Sequence, residues 1–87
     1  MRKIVVETDE VSGLEKLLGE KVLLMCGCYF YTGVLTGVNK DYVVLGDAAV
    51  VYETGEWMAN KYKDAQKIGP KEWYVLIRSI ESFGLGK

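Results

Sequence analysis

The sequence predicts a mainly β domain: a small closed barrel of strongly bent antiparallel strands behind a short leading helix. Three observations predict it. Residues 19–47, GEKVLLMCGCYFYTGVLTGVNKDYVVLGD, form a strand-rich run punctuated by glycines. Residues 73–83, WYVLIRSIESF, form a short apolar strand pair that meets at Arg78 and Ser79. At 87 residues there is room for one modest core, because a chain of this size buries only about 60–65% of its extended surface. A single domain over residues 1–87 is therefore expected.

Residues 3–7, KIVVE, predict a short strand that adds an edge to the sheet. Asp9 and Ser12 are helix-cap residues, and Ser12 and Glu15 stand in capping-box spacing. Leu14, Leu17 and Leu18 then make an apolar stripe on a helix of two turns that stops at Gly19. Two turns are too few to be stable alone, so the helix is expected to lie across the open end of the barrel.

From Lys21 the residues favour strand: 22–26, then 29–32 running on through Val34 and Leu35. Gly27 between them is the expected hairpin turn, suited to the positive φ that such turns often need. Gly33 and Gly37 fall in or beside the second strand. Glycine weakens a sheet unless curvature or close backbone approach demands it, and a small barrel makes that demand. Asn39, Lys40 and Asp41 form a polar turn before the strand at 42–45. After Gly46 and Asp47 the strand pattern continues through 48–52. Residues 56–71 lack strict alternation and fit either a short helix, with Met58, Tyr62 and Ala65 on one side, or a long hairpin arm. Gly69 and Pro70 end that segment. Strands at 72–77 and 80–83 complete the expected set, leaving 84–87 as a loose tail.

Formal net charge is −1, which does not mark a chain built for nonspecific phosphate binding. The distribution is uneven: residues 1–56 carry net −4 and residues 57–87 net +3, most of the surplus in Lys61, Lys63, Lys67 and Lys71. One basic edge is expected on a nearly neutral fold. No apolar run approaches the roughly 20 residues that span a bilayer, and the start of the chain lacks a signal-peptide pattern. A cytoplasmic location without membrane contact is the expectation.

Catalytic signatures are sparse. The chain has no His, the commonest general base near neutral pH and the usual nitrogen ligand of metals. Cys26 and Cys28 are too few for a closed zinc site within one chain. They read as small side chains flanking a turn, with a metal shared across an interface or redox use as alternatives. Asp41 and Asp47 flank a strand, and Glu53 and Glu56 read as solvated turn residues. Gly33 and Gly37 lack the Gly-Lys-Ser/Thr that would complete a phosphate loop. No enzyme activity, cofactor or metal is expected.

Two turns carry the remaining chemistry. Asn39, Lys40, Asp41 and Tyr42 offer an amide, a cation, a carboxylate and a ring, and Arg78 and Ser79 offer a guanidinium and a hydroxyl. A ring for base stacking and an Arg for phosphate or base edges are what a single-stranded RNA site requires. The alternative is structural: Tyr42 as a packing ring, and Arg78 paired with a carboxylate such as Asp41 to hold the turns together.

These segments resemble the Sm/Lsm-like proteins. Residues 14–22 look like the family's helix running into its first strand. Tyr31, Gly33 and Leu35, then Asn39, then Val43 to Leu45 and Gly46-Asp47-Ala48, look like its first motif. Val75, Leu76, Ile77, Arg78, Ser79 and Ile80 look like its second. The likeness covers residues 12–83, with 56–71 as the family's variable loop. Tyr42 stands where the family has a base-binding Asn, Ser79 replaces the Gly after the Arg, and Cys26-Gly27-Cys28 replaces a common Asp-Gly turn. The resemblance implies an SH3-type barrel of five bent strands and a ring of six or seven copies that binds single-stranded RNA around its pore. It places RNA contact at Asn39, Lys40, Asp41, Tyr42, Arg78 and Ser79. It places subunit contact at Trp73, Tyr74, Val75, Ile77, Ile80 and Phe83, through pairing of the fourth strand with a neighbour's fifth. A structural or adaptor ring that binds a protein partner instead of RNA is the alternative.

Overall fold

A computed structural model gives the fold and describes residues 13–87. The expected edge strand at 3–7 and the caps Asp9 and Ser12 lie outside the described residues. Six antiparallel strands follow a short 3-10 turn, Leu14–Leu17: β1 Lys21–Cys26, β2 Phe30–Val38, β3 Tyr42–Glu53, β4 Asp64–Lys67, β5 Glu72–Leu76 and β6 Ile80–Leu85. A second 3-10 turn, Ile77–Ser79, joins β5 to β6. The fold is mainly β, as expected, and among the described residues β4 is added to the five bent strands that the resemblance implies.

The leading helix is a single 3-10 turn rather than two α-helical turns. Its stripe is also narrower than predicted, since Leu14 is buried and Leu17 partly buried while Leu18 stands exposed. Gly13 and Gly19 bracket the turn at positive φ and leave too little chain for more.

The ladder runs β6-β1-β2-β3, and β3 serves two partners on its far edge. Its first half pairs with β5, Tyr42 opposite Leu76 and Gly46 opposite Glu72; its second half pairs with β4, Ala49 opposite Lys67 and Glu53 opposite Asp64. The change of partner falls at Asp47, which has φ 51. Asp tolerates this left-handed conformation better than most residues, so the strand bends there without a glycine. The strand pattern that continues after Gly46-Asp47 in the sequence forms one continuous bent strand with the run before it.

Strand β2 crosses the same bend with register shifts around Gly33 and Thr36. A Cβ at Gly33 would stand 2.9 Å from the Gly46 carbonyl oxygen and 3.1 Å from the Ala48 Cα, so the close approach expected of this glycine is present. Gly27, by contrast, does not have positive φ, and a Cβ there would meet nothing. The turn between β1 and β2 has Gly27, Cys28 and Tyr29 to spread its curvature over, and the backbone N–H of Cys26 donates to the Tyr29 carbonyl.

Strands β5 and β6 lie at opposite ends of the ladder path but are separated by only three residues, which reach about 10 Å. The sheet is therefore curled upon itself. No ladder joins β5 to β6, so it stays open rather than closing into a barrel. The concave face carries the core, with Val22, Leu24, Leu35, Val43 and Leu45 fully buried around Leu14 and Val75. The opposite face also buries Leu23, Thr32, Ala49 and Val51, which explains why β1 reads as a continuous apolar run rather than an alternating one. Thr32 satisfies its buried hydroxyl by donating to the Val22 carbonyl at 2.8 Å.

Residues 54–63 form an irregular loop followed by β4, which settles the ambiguous segment as an arm and not a helix. All four β4 residues are exposed. The expected loose tail is instead built in: β6 runs to Leu85, and the Gly86 N–H donates to the Lys21 carbonyl at 2.8 Å. Among the described residues no helix is long and apolar enough to cross a membrane.

Candidate functional site

The polar turn at 39–41 is organised by its own first residue. The Asn39 side-chain oxygen accepts from the Asp41 N–H at 2.7 Å and the Tyr42 N–H at 2.9 Å, and the Asn39 N–H donates to the Tyr42 carbonyl at 3.0 Å. A side-chain amide that satisfies two backbone donors is the reason Asn suits this position. Its carbonyl is thereby engaged within the turn.

The β5–β6 turn meets this one directly. The Ile77 N–H donates to the Asp41 carbonyl at 2.9 Å. Lys40, Asp41, Leu76, Ile77 and Arg78 consequently line one cleft of about 340 Å³. Two cations and one carboxylate thus line this cleft together with two apolar side chains. Arg78 makes no ion pair among the described residues; the pairs present are Lys63–Glu53 and Lys67–Asp47. The two turns are held together by backbone, which leaves the guanidinium without the Asp41 partner that the structural alternative assigned to it.

Tyr42 is not in this cleft. It is half-buried and packs edge-on against Tyr74, ring centroids 5.2 Å apart. Such pairing adds about 0.5–1.5 kcal/mol beyond burial and fixes the ring on the β3–β5 ladder. The Tyr74 hydroxyl donates to Glu72 at 3.3 Å, and the carboxylate beside it raises the phenol above its ordinary range. Of the six predicted contact residues, Lys40, Asp41 and Arg78 share the cleft, Asn39 shapes it from within the turn, and Tyr42 stands aside.

Ser79 faces a second cleft, of about 480 Å³, between β5 and the β1–β2 turn. Arg78 borders both. Cys26, Tyr31, Trp73 and Tyr74 line this second space, and Glu81 closes one side. It fills the gap where the open sheet fails to join β5 to β6. Burial, then Glu81, then Cys28 push the buried Cys26 thiol up, and burial also raises Tyr31. Cys28 is exposed and both thiols are free. No local sequence signal links the Cys26 turn to Arg78, because the link is the long-range pairing of Cys26 with Ile80.

The residues expected at a subunit contact divide by face. Val75 is buried, while Trp73, Ile77 and Ile80 pack partly against the core. Tyr74 and Phe83 are exposed, joined by Leu76 and Leu85, which the sequence reading did not single out. Among the described residues no group of three or more Cys, Asp or Glu side chains is disposed to hold a metal. Comparison of the chain with protein-family models and with curated proteins gave no match.

Proposed function

We propose that this chain is an Sm-like subunit, an SH3-type fold whose curled sheet is left open between β5 and β6, that assembles into a ring and binds single-stranded RNA at the cleft between its two polar turns. The observation that carries this reading is the meeting of Lys40 and Asp41 with Arg78 in one cleft, with the guanidinium free of the Asp41 carboxylate. Leu76 and Ile77 offer a base apolar contact, and Lys40 and Arg78 offer its phosphates two cations. Support for assembly comes from the outer edges of β5 and β6, which have no strand partner among the described residues. Unpaired edges are templates for another chain, and the exposed Tyr74 and Phe83 lie on these two strands. A ring of six or seven copies multiplies a weak single-cleft contact. A cytoplasmic location goes with this reading.

The test is binding of short U-rich and A-rich RNAs at low and high salt to wild type and Arg78→Ala, alongside light scattering at micromolar concentration. Binding that weakens on Arg78→Ala, by an assembled species, is expected. Undetectable binding, or binding indifferent to that change, refutes the RNA reading, and a monomer refutes the ring. A second reading, an adaptor ring that binds a protein, is favoured by one specific observation: the Asn39 carbonyl and the Tyr42 ring are both engaged internally. It predicts assembly without RNA affinity.

A further inference from the structure

Far from Arg78, four lysines converge on one open cleft. Lys21, Lys61, Lys63 and Lys87 line a space of about 400 Å³ with Tyr62, and Asp64 is the one carboxylate in its wall. Register places this cleft. Cys26 lies opposite Ile80, beside the Arg78 turn, whereas Val22 lies opposite Leu85 at the other end of the β1–β6 ladder. Four residues of strand separate the two ends, or roughly 13 Å.

Contacts hold two of the cations, Lys63 and Lys87, in place. Lys61 and Lys63 ride on the 54–63 loop, which is cinched where the Lys63 N–H donates to the Thr54 carbonyl at 3.3 Å and where Gly55 takes φ +73 against Lys63. The Lys87 ammonium donates to the Glu56 carbonyl at 2.7 Å and lies 5.2 Å from the Tyr62 ring centroid and 5.8 Å from that of Trp57. A carbonyl and two π faces fix an ammonium without neutralising it, and leave it further N–H donors. Lys63 touches Glu53 at 3.7 Å, but both side chains are mostly exposed and such a pair is weak. Lys21 and Lys61 make no ion pair among the described residues.

Spaced ammonium groups along an open cleft suit a chain of phosphates better than a single one, because each lysine acts as a separate point charge. Lys87 links this cleft to an adjoining one of about 210 Å³, where Trp57, 58% exposed, lines the wall with Phe83 and Leu85 and presents an indole with a face beyond the ammonium on which a base can stack. We infer that this cleft is a second contact site for single-stranded nucleic acid, with phosphates on Lys21, Lys61 and Lys63 and a base on Trp57. It does not depend on the cleft beside Arg78, and it gives three of the six cations of residues 57–87, Lys61, Lys63 and Lys87, a shared place.

The experiment measures oligonucleotide affinity by anisotropy across roughly 50–200 mM salt for wild type, the double variant Lys61→Ala/Lys63→Ala, and Arg78→Ala. Tryptophan emission is followed in parallel in wild type and Trp57→Phe, and circular dichroism confirms the fold of each variant. Loss of two phosphate contacts should flatten the slope of log affinity against log salt by about 1.4 for a single strand. Oligonucleotide should quench emission in wild type and far less in Trp57→Phe, while inorganic polyphosphate and anionic vesicles should not quench. An unchanged slope in the double variant overturns the inference, even if Arg78→Ala abolishes binding and so upholds the other cleft. Loss in the double variant with Arg78→Ala unaffected does the reverse. Polyphosphate or vesicles bound as tightly as oligonucleotide, with no quenching by any of them, also overturn it.

Discussion

Replacing Gly33 with Ala tests the bend on which both turns depend. Gly33 sits where β2 follows β3 through the change of partner at Asp47, and its missing Cβ is what lets the strands approach. An added methyl would meet the Gly46 carbonyl oxygen at 2.9 Å, the Ala48 Cα at 3.1 Å and the Leu45 Cβ at 3.2 Å. Two of these are backbone atoms of the central strand, and Leu45 is fully buried, so none can swing aside. Overpacking of this kind costs about 1–3 kcal/mol, and Ala recovers about 0.5–1 kcal/mol of backbone entropy relative to Gly. A net loss of about 1–2 kcal/mol is expected. For a domain of this size that lowers the thermal midpoint by about 4–16 °C. Gly27→Ala is the control, because a Cβ there meets nothing and its φ is not positive; it should be neutral or slightly stabilising. The assay is thermal and urea unfolding of both variants beside wild type. Equal midpoints for Gly33→Ala and Gly27→Ala would refute the reasoning, since the steric difference between the two sites is its whole basis.

Three other outcomes are expected. Asn39→Ala removes the acceptor for two backbone N–H groups and should cost about 1 kcal/mol in thermal unfolding, while Asn39→Asp keeps the acceptor and most of the stability; an Ala variant as stable as wild type would contradict this. Lys67 holds the Asp47 carboxyl below its ordinary value of 3.8, by hydrogen bond first and charge second. The stability from that pair is therefore present above 3.8 and lost as pH falls through the lower folded-state value. The difference in melting temperature between wild type and Asp47→Asn should accordingly be constant near neutrality and vanish in acid; a difference that grows in acid would contradict the assignment. Finally, a thiol reagent at mildly alkaline pH should label the exposed Cys28 promptly and the buried Cys26 only on unfolding, because burial raises the Cys26 thiol and keeps thiolate scarce; equal rates would contradict the burial.

Much of the sheet could be read from residue types. Strand starts at Lys21, Tyr42 and Glu72 follow from β-rich runs bounded by Gly, Asn-Lys-Asp and Gly-Pro, signals that act within a few residues. Gly33 was also legible, because glycine inside an apolar strand needs a steric reason. The rest is set by distant segments. That the bend at Asp47 divides β3 between two partners is decided by β4 and β5, which pair on either side of it. Gly84 to Lys87 look like a loose tail, yet the Lys21 carbonyl accepts from Gly86 and the Tyr62 hydroxyl from the Lys87 backbone N–H.

The candidate site divides in the same way. Residue chemistry by itself singled out the turns at 39–42 and 78–79, because a cation, a ring and an amide clustered between strands are visible one residue after another. Only the tertiary structure decided that Lys40, Asp41 and Arg78 share a cleft while Tyr42 turns to Tyr74, and that Lys21 and Lys87 stand beside Lys61 and Lys63. Sequence alone determined a strand-rich chain whose residues 57–87 are net basic. It could not determine which cations become neighbours, because strand pairing brings together residues more than sixty positions apart and no local pattern records that contact.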